Sequence, residues 1–282
     1  MPTILSISSW VARGHVGNSA IEFPLMRRGF EVVVLPTVIL AHHPGHKRDV
    51  IRNATEDILS IGREALASPT PHPVDGIIVG YIALPQQAVS IAGLVAEART
   101  YKEGVPLLLD PIAGDGGMLY VDPAIVEEIK THLLPMADIA TPNVTELMAL
   151  HDPERVDAAR ELSESEIVDM ARSLGVPTVI VTSAPASKDG RAANIVVTSE
   201  LAVRIETPRV GGHADGTGDV LACVTLGEVI TGHDIVPAVA TGAAVVHDVL
   251  VATMAQGGDE LALVAAQKRI ADPETVADVT LL

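Results

Sequence analysis

Short apolar runs rich in Ile, Val and Leu alternate with longer stretches of helical periodicity. Ile4–Ser8, Glu31–Leu40, Gly76–Gly80, Pro106–Asp110, Asp138–Ala140 and Thr178–Thr182 read as strands. Several lack polar alternation, which is the pattern of strands covered on both faces. Between them, 17–28, 49–67, 84–102, 122–132, 144–150 and 163–174 read as helices. This order predicts an α/β fold with a central, mostly parallel sheet.

The pattern changes near residue 190. Asn194–Thr198 and Leu201–Thr207 are β-rich and read as a hairpin turned at Ser199-Glu200, a pair outside the strong hairpin dipeptides. A glycine-rich loop, Gly211–Gly218, then leads into helices predicted at 219–231, 235–256 and 258–271. Pro69–Pro73 reads as a surface turn. With no linker, repeat or low-complexity segment, 1–282 reads as one domain.

Charge and composition narrow the function. The net charge is −17, and no basic stripe is present, so a nucleic-acid partner is not expected. An anionic substrate would need local help from a metal ion, backbone amides or a few arginines. The one cysteine, Cys223, leaves no disulfide to form within a chain, which fits a reducing cytoplasm. The start of the chain reads at once as a strand, without the basic and apolar regions of a signal peptide. The apolar stretch 237–256 contains His247 and Asp248 and reads as a buried helix, not a membrane span. Aromatics are scarce, with one Trp, three Tyr and two Phe, so Trp10 and Tyr81, just past predicted strands, stand out.

In an open α/β sheet, ligands bind beyond the carboxyl ends of the strands. The strongest motif there is Gly216-Thr217-Gly218-Asp219 before an apolar helix. Glycines admit close approach, and the first amides of a helix lack intrahelical acceptors, so together they suit a phosphate oxygen. Asp219 would point to the same place, although a plain N-cap and turn gives the same spacing. A helix N-terminus favours a carboxylate, which predicts a low pKa for Asp219. Asp110, at the end of a strand and beside a glycine loop, could hold hydrated magnesium, or simply end the strand in an Asp-Pro turn. Thr141-Pro142-Asn143-Val144-Thr145-Glu146 reads as a helix start, with Glu146 either in the cap or near the metal.

Other signals are weaker. Gly14-His15-Val16-Gly17-Asn18-Ser19-Ala20 follows the first strand but matches neither the dinucleotide nor the P-loop pattern. His42, His43 and His46 share a loop with Pro44 and Gly45, and without a cysteine partner they suit a substrate loop better than a zinc site. Cys223, one turn past Asp219, reads as a small core residue.

Taken in order, Ser9, the Gly-His-Val-Gly-Asn-Ser-Ala loop at 14–20, Asp-Pro-Ile-Ala-Gly-Asp at 110–115, Thr-Pro-Asn-x-x-Glu at 141–146, Val-Thr-Ser at 181–183 and Gly-Thr-Gly-Asp at 216–219 resemble pyridoxal kinases of the ribokinase-like superfamily. Val264–Ile270 looks like that family's closing helix. The resemblance implies a ribokinase-like sheet flanked by helices on both faces, in a homodimer. It implies that Asp219 deprotonates the acceptor's 5′-hydroxyl while the backbone of Gly216, Thr217 and Gly218 holds the γ-phosphate. Ser9, Val16 and Tyr81 match positions around the pyridine ring. Asp110, Asp115, Asn143, Glu146, Thr182, Ser183 and Thr217 match positions around ATP, with Asp110 and Glu146 toward Mg2+ and with K+ assisting.

One loop departs from the family. Relatives read Asn-His-Thr where this chain has His42-His43-Pro44, so a threonine contact to the substrate is lost or moved to His43 or His46. Hydroxymethylpyrimidine kinases resemble this chain too, but they typically carry cysteine at the position of Asp219. Sugar or nucleoside kinases usually carry a lid insertion, for which 10–30 has no room. A non-catalytic vitamin-binding relative is the remaining alternative, and the retained Asp219 and glycines disfavour it.

Overall fold

The apolar runs become strands of one sheet in the computed structural model, which describes residues 1–43, 51–67 and 73–282. In chain order the first half contains β1 (Thr3–Val11), α1 (Asn18–Arg27), β2 (Glu31–Leu40), β3 (Arg52–Ala54), α2 (Ile58–Ala67), β4 (Gly76–Val79), α3 (Gln86–Tyr101) and β5 (Leu107–Leu109). A small hairpin, β6 (Gly114–Asp115) and β7 (Met118–Leu119), precedes α4 (Pro123–Glu128), β8 (Ile139–Ala140), α5 (Val144–His151), α6 (Glu164–Ser173) and β9 (Thr178–Ala184). The remainder is β10 (Arg191–Thr198), β11 (Ala202–Pro208), α7 (Thr217–Ile230), α8 (Ile235–Ala255), α9 (Gln267–Ala271) and β12 (Asp278–Leu281).

Among the described residues the main sheet has ten strands in the order β12-β11-β10-β9-β8-β5-β4-β1-β2-β3. The run from β2 to β9 is parallel, and antiparallel strands extend it at both ends. The chain runs from β1 outward to β2, then returns to place β4 on the other side of β1. That reversal opens a crevice at the carboxyl ends of β1 and β4, where α/β folds bind ligands.

Strand alternation divides the core into two layers. Leu5 and Ile7 of β1, Ile77 and Val79 of β4, and Leu107 and Leu109 of β5 pack under α2 to α6. Ile4, Ile78 and Leu108, one position out of phase, pack under α1, α7 and α8. Both faces are therefore apolar, which is why these strands read as unbroken hydrophobic runs. α8 is long and apolar enough to cross a membrane by length and composition alone. It instead lays Val239, Val245 and Val249 into the second layer beside α7, as the sequence reading expects. Cys223 is fully buried in the same layer.

Two expectations change. The helix read at 49–67 begins only at Ile58, because Arg52–Ala54 pairs antiparallel with Val38–Leu40 and covers the edge of β2. The helix read at 258–271 is confined to Gln267–Ala271. Gly257 and Gly258 stop α8, the Thr253 hydroxyl takes the Ala262 N–H at 3.0 Å, and Leu261 and Leu263 turn into the core. The closing strand β12 and the β6–β7 hairpin carried no sequence signal that was read. Most of the Pro69–Pro73 turn lies outside the described residues. The β10–β11 hairpin is as expected, and its turn is held by the Thr198 hydroxyl, which accepts the Glu200 and Leu201 amides at 3.2 Å.

The start of α1 is fixed by one buried side chain. Asn18 accepts the Ser6 hydroxyl at 2.6 Å and donates to the Ser8 carbonyl at 2.7 Å, tying helix to strand in a fully buried position. Asn18→Ala would leave both partners unsatisfied, at a cost of about 2–3 kcal/mol. The expected result is a lower urea midpoint with an unchanged slope, read by circular dichroism.

Candidate active site

Two loops, distant in sequence, meet beyond the carboxyl end of β1. Gly216 caps α7 in the left-handed region, with φ 90°, and a Cβ there would collide with the His15 carbonyl. Gly17 precedes α1 with φ 56°, and a Cβ on it would collide with Ser9. These glycines are therefore required by close approach as well as by backbone geometry. The contact lets the Gly17 N–H donate to Asp219 Oδ2 at 2.8 Å. Asp219 lies in the first turn of α7, whose leading amides have no intrahelical acceptors. The Asp219 side chain is buried, and its Oδ1 has no hydrogen-bond partner among the described residues. A buried carboxylate oxygen without a donor is costly, and a ligand hydroxyl would satisfy it.

The low pKa expected for Asp219 is not what the site produces. Burial pushes it up to about 6, against the opposing pull of the Gly17 amide and the nearby His43. Desolvation outweighs the helix terminus because the carboxylate is closed off from water. The group is thus mainly ionised at neutral pH yet basic enough to take a proton.

The acidic side is built around Asp110 and Glu146. Asp110 follows β5 and is buried, and burial holds its carboxyl well above the usual range, helped by the charges of Glu146 and Asp219. Burial also pushes Glu146 up to about 7, opposed by the amides of Asn143, Ala113 and Gly114. The local capping expectation holds: Asn143 accepts the Glu146 N–H at 2.9 Å, and Glu146 accepts the Asn143 N–H at 2.8 Å. Glu146 also accepts the Ala113 N–H at 3.0 Å, and Asn143 donates to the Gly114 carbonyl at 2.8 Å. The helix cap therefore also braces the loop after Asp110.

No cluster of three or more His, Cys, Asp or Glu side chains arranged for a metal occurs among the described residues. Two buried, mutually repelling carboxylates are nevertheless hard oxygen donors that a cation would relieve, and a hydrated magnesium ion needs only one or two such partners. The donor set fits that ion.

On the other side of Asp219, Val11, Val16, Val38 and Leu40 form a small apolar cluster with Tyr81, separate from the two main core layers. Tyr81 is fixed through its backbone: its N–H donates to the Ser8 hydroxyl at 3.1 Å, and its carbonyl accepts from Thr37 at 2.7 Å. His43 pairs with Asp215 at 2.9 Å. That hydrogen bond raises the His43 pKa, as do the charges of Glu260 and Asp219, while burial opposes them. Pro44 and His46 lie outside the described residues.

The structure thus gathers Ser9, Val16, Tyr81, His43, Asp110, Glu146, Asp219 and the 216–218 turn near the ends of β1, β4, β5 and α7. Asn143 joins them through its bonds to Glu146 and Gly114, and Thr182 and Ser183 stand farther along the same edge, where the Thr182 N–H donates to the Pro142 carbonyl at 2.9 Å. Ser183 is a non-glycine residue with φ 52°, at a register break between β9 and β10. Asp115 is exposed and accepts the Gly116 N–H at 2.7 Å. Three residues were missed: Asp215, Tyr120 and Glu260. Tyr120, 60% exposed, stands within reach of the acidic groups Glu146, Asp110, Asp219 and Asp115, and its place after a glycine loop was the available signal. Glu260 accepts the His15 N–H at 3.0 Å across 245 positions, so no local pattern marks it.

The family model for phosphomethylpyrimidine kinase matches residues 73–263. The chain is 33% identical to the pyridoxal kinase PdxY of Rubrobacter xylanophilus over 279 residues, covering 96% of this chain and 94% of that protein. It is similar to the pyridoxal kinase of Leishmania donovani in complex with ADP and pyridoxamine, with a TM-score of 0.87, 28% identity and all of both chains covered. The same kinase in complex with ADP and pyridoxine matches with a TM-score of 0.86 and 28% identity over 99% of each chain.

The raised carboxylates make a stability prediction. Their ionised forms are disfavoured in the folded state, so the penalty is complete above the folded pKa values and absent below the unfolded values near ~4. Asp110→Asn removes one of these charges with little change of shape. Without nucleotide or metal, its melting temperature at pH 8 should exceed the parent's by about 2–4 °C per kcal/mol relieved. The gap should close toward pH 4.5 in scanning calorimetry.

Proposed function

We propose, starting from this chain's membership of the pyridoxal kinase and phosphomethylpyrimidine kinase family of ribokinase-like fold, that it phosphorylates B6 vitamers from ATP. The acceptor is the 5′-hydroxymethyl group of pyridoxal, and pyridoxine and pyridoxamine are further substrates of the same class. The observation that carries the reading is Asp219 Oδ1, a buried oxygen without a partner among the described residues, beside the first-turn amides of α7.

In this reading the vitamer ring packs on Val16 and Tyr81, with Ser9 and His43 at its polar edge. Its hydroxyl donates to Asp219 Oδ1. As the hydroxyl oxygen bonds to the γ-phosphorus, the bond to the β-phosphate oxygen breaks and ADP leaves. The hydroxyl proton passes to Asp219. The amides of Gly216, Thr217 and Gly218 receive the charge on the transferring group, where donors placed in advance are most effective. Because phosphoryl transfer is largely dissociative, Asp219 acts chiefly by orienting the hydroxyl and accepting its proton late.

Asp110 and Glu146 would hold Mg2+, which when bound supplies charge neutralisation between the phosphates. Asn143, Thr182, Ser183, Asp115 and Thr217 would line the nucleotide side, with K+ as an assisting cation. The span 1–282 acts as one domain; its support is a sheet that includes both β1 and β12. A cytoplasmic location is supported by the single buried cysteine. The homodimer is supported by the family resemblance and by exposed apolar side chains on and just before the β2–β3 pair, Ile39 and Ile51, which are 48% and 82% exposed.

A second reading, hydroxymethylpyrimidine kinase, is favoured by the family model, and the carboxylate at 219 weighs against it. A turnover panel with pyridoxal, pyridoxine, pyridoxamine and hydroxymethylpyrimidine separates the two. Pyridoxal should show the highest kcat/KM. Asp219→Asn should lower turnover at least ~100-fold with little change in ATP affinity. Binding of pyridoxal without ATP consumption in the parent protein would support a non-catalytic relative instead. In the parent, kcat/KM should fall as pH drops through about 6, where Asp219 takes up its proton.

A further inference from the structure

The loop that supplies the Gly17 amide is itself held from the far end of the chain. Glu260 accepts the His15 N–H at 3.0 Å. Its carboxylate fills the space beside Gly14, where a Cβ would lie 2.6 Å from both oxygens. On the other side, the His15 carbonyl presses on Gly216, and Leu261 Cδ1 lies 3.1 Å from where a Gly216 Cβ would stand. Residue 15 is thus gripped between Glu260 and the glycine turn, two residues before the amide that contacts Asp219 at 2.8 Å.

We propose that Glu260 is a positioning residue, fixing the loop between β1 and α1 so that the Gly17 amide meets Asp219. The inference rests on the reading that Asp219 is the reacting base. Glu260 acts through backbone and not on substrate: its hydrogen bond sets where residue 15 sits, and residue 15 sets residue 17. The Gly17 amide has two effects. It orients the carboxylate, leaving Oδ1 toward the acceptor, and it favours the ionised form.

Loss of the grip should therefore alter the titration of the base as well as the rate. The groups facing Asp219 are His43 from the end of β2, Asp110 from the end of β5, Tyr120 beyond β7 and Cys223 on its own helix. Glu260 also raises the His43 pKa through its charge. Glu260→Gln removes this charge and keeps a hydrogen-bond acceptor, so the two influences can be separated.

The test compares Glu260→Ala, Glu260→Gln and Leu261→Ala in the full chain, with pyridoxal and Mg-ATP. Glu260→Ala should lower kcat about tenfold or more, leave the ATP KM within about twofold, and move the acid limb of kcat/KM upward by about one pH unit. Glu260→Gln should recover most of the rate and the parent's acid limb. Leu261→Ala, which loosens the same packing without touching the hydrogen bond, should lower the melting temperature and leave the acid limb in place.

An unmoved acid limb in Glu260→Ala, with only a lower melting temperature, would overturn the proposal and make Glu260 merely structural. Glu260→Gln behaving like Glu260→Ala would overturn it as well, since charge and not the hydrogen bond would then matter. Should Glu260→Ala fail to fold, the Gln variant still decides: a displaced acid limb there defeats the proposal. Full activity in Asp219→Asn would instead defeat the base reading on which the inference stands.

Discussion

Three carboxylates, Asp110, Glu146 and Asp219, are held out of water at the carboxyl edge of one sheet, and the surrounding structure is organised by that constraint. Each is buried, each has its pKa raised, and Asp110 feels the charge of the other two. A folded chain accepts such an arrangement only where something else compensates. Amides supply part of the compensation: three reach Glu146 and one reaches Asp219. The remainder is left for whatever binds.

Local structural motifs carry the functional geometry in this chain. The capping box at Asn143 and Glu146 is an ordinary helix start, and the same two side chains brace residues 113 and 114 beside Asp110. The capping reading of Glu146 is the one the structure bears out, and the cap also sets its carboxylate beside the loop after Asp110. Gly17 and Gly216 behave similarly. Each permits a close backbone approach, and together those approaches place the Asp219 carboxylate under an amide.

Much of this was legible in the sequence where the information is local. Strands such as Gly76–Val79 are short apolar runs between helical segments, and hydrophobic periodicity finds them. The Gly-Thr-Gly-Asp turn was legible because glycine spacing and a following apolar helix are adjacent in the chain. What was not legible depends on partners far away. The segment 258–266 has helix-forming residues but forms turns, with Glu260 bonding to His15 and Leu261 and Leu263 entering the core. Arg52–Ala54 becomes a strand because the β2 edge needs a partner. The pKa of Asp219 was misjudged for the same reason: the helix terminus is visible in sequence, but the burial that outweighs it is tertiary.

The hydrogen bond between Gly17 and Asp219 spans 202 positions, and the one between His15 and Glu260 spans 245. During synthesis, the first of these residues leave the ribosome long before their partners exist. The glycine loop cannot take these two contacts until those partners have been made. Both contacts are therefore completed only when the last quarter of the polypeptide, which carries Asp219 and Glu260, docks against the strand laid down first.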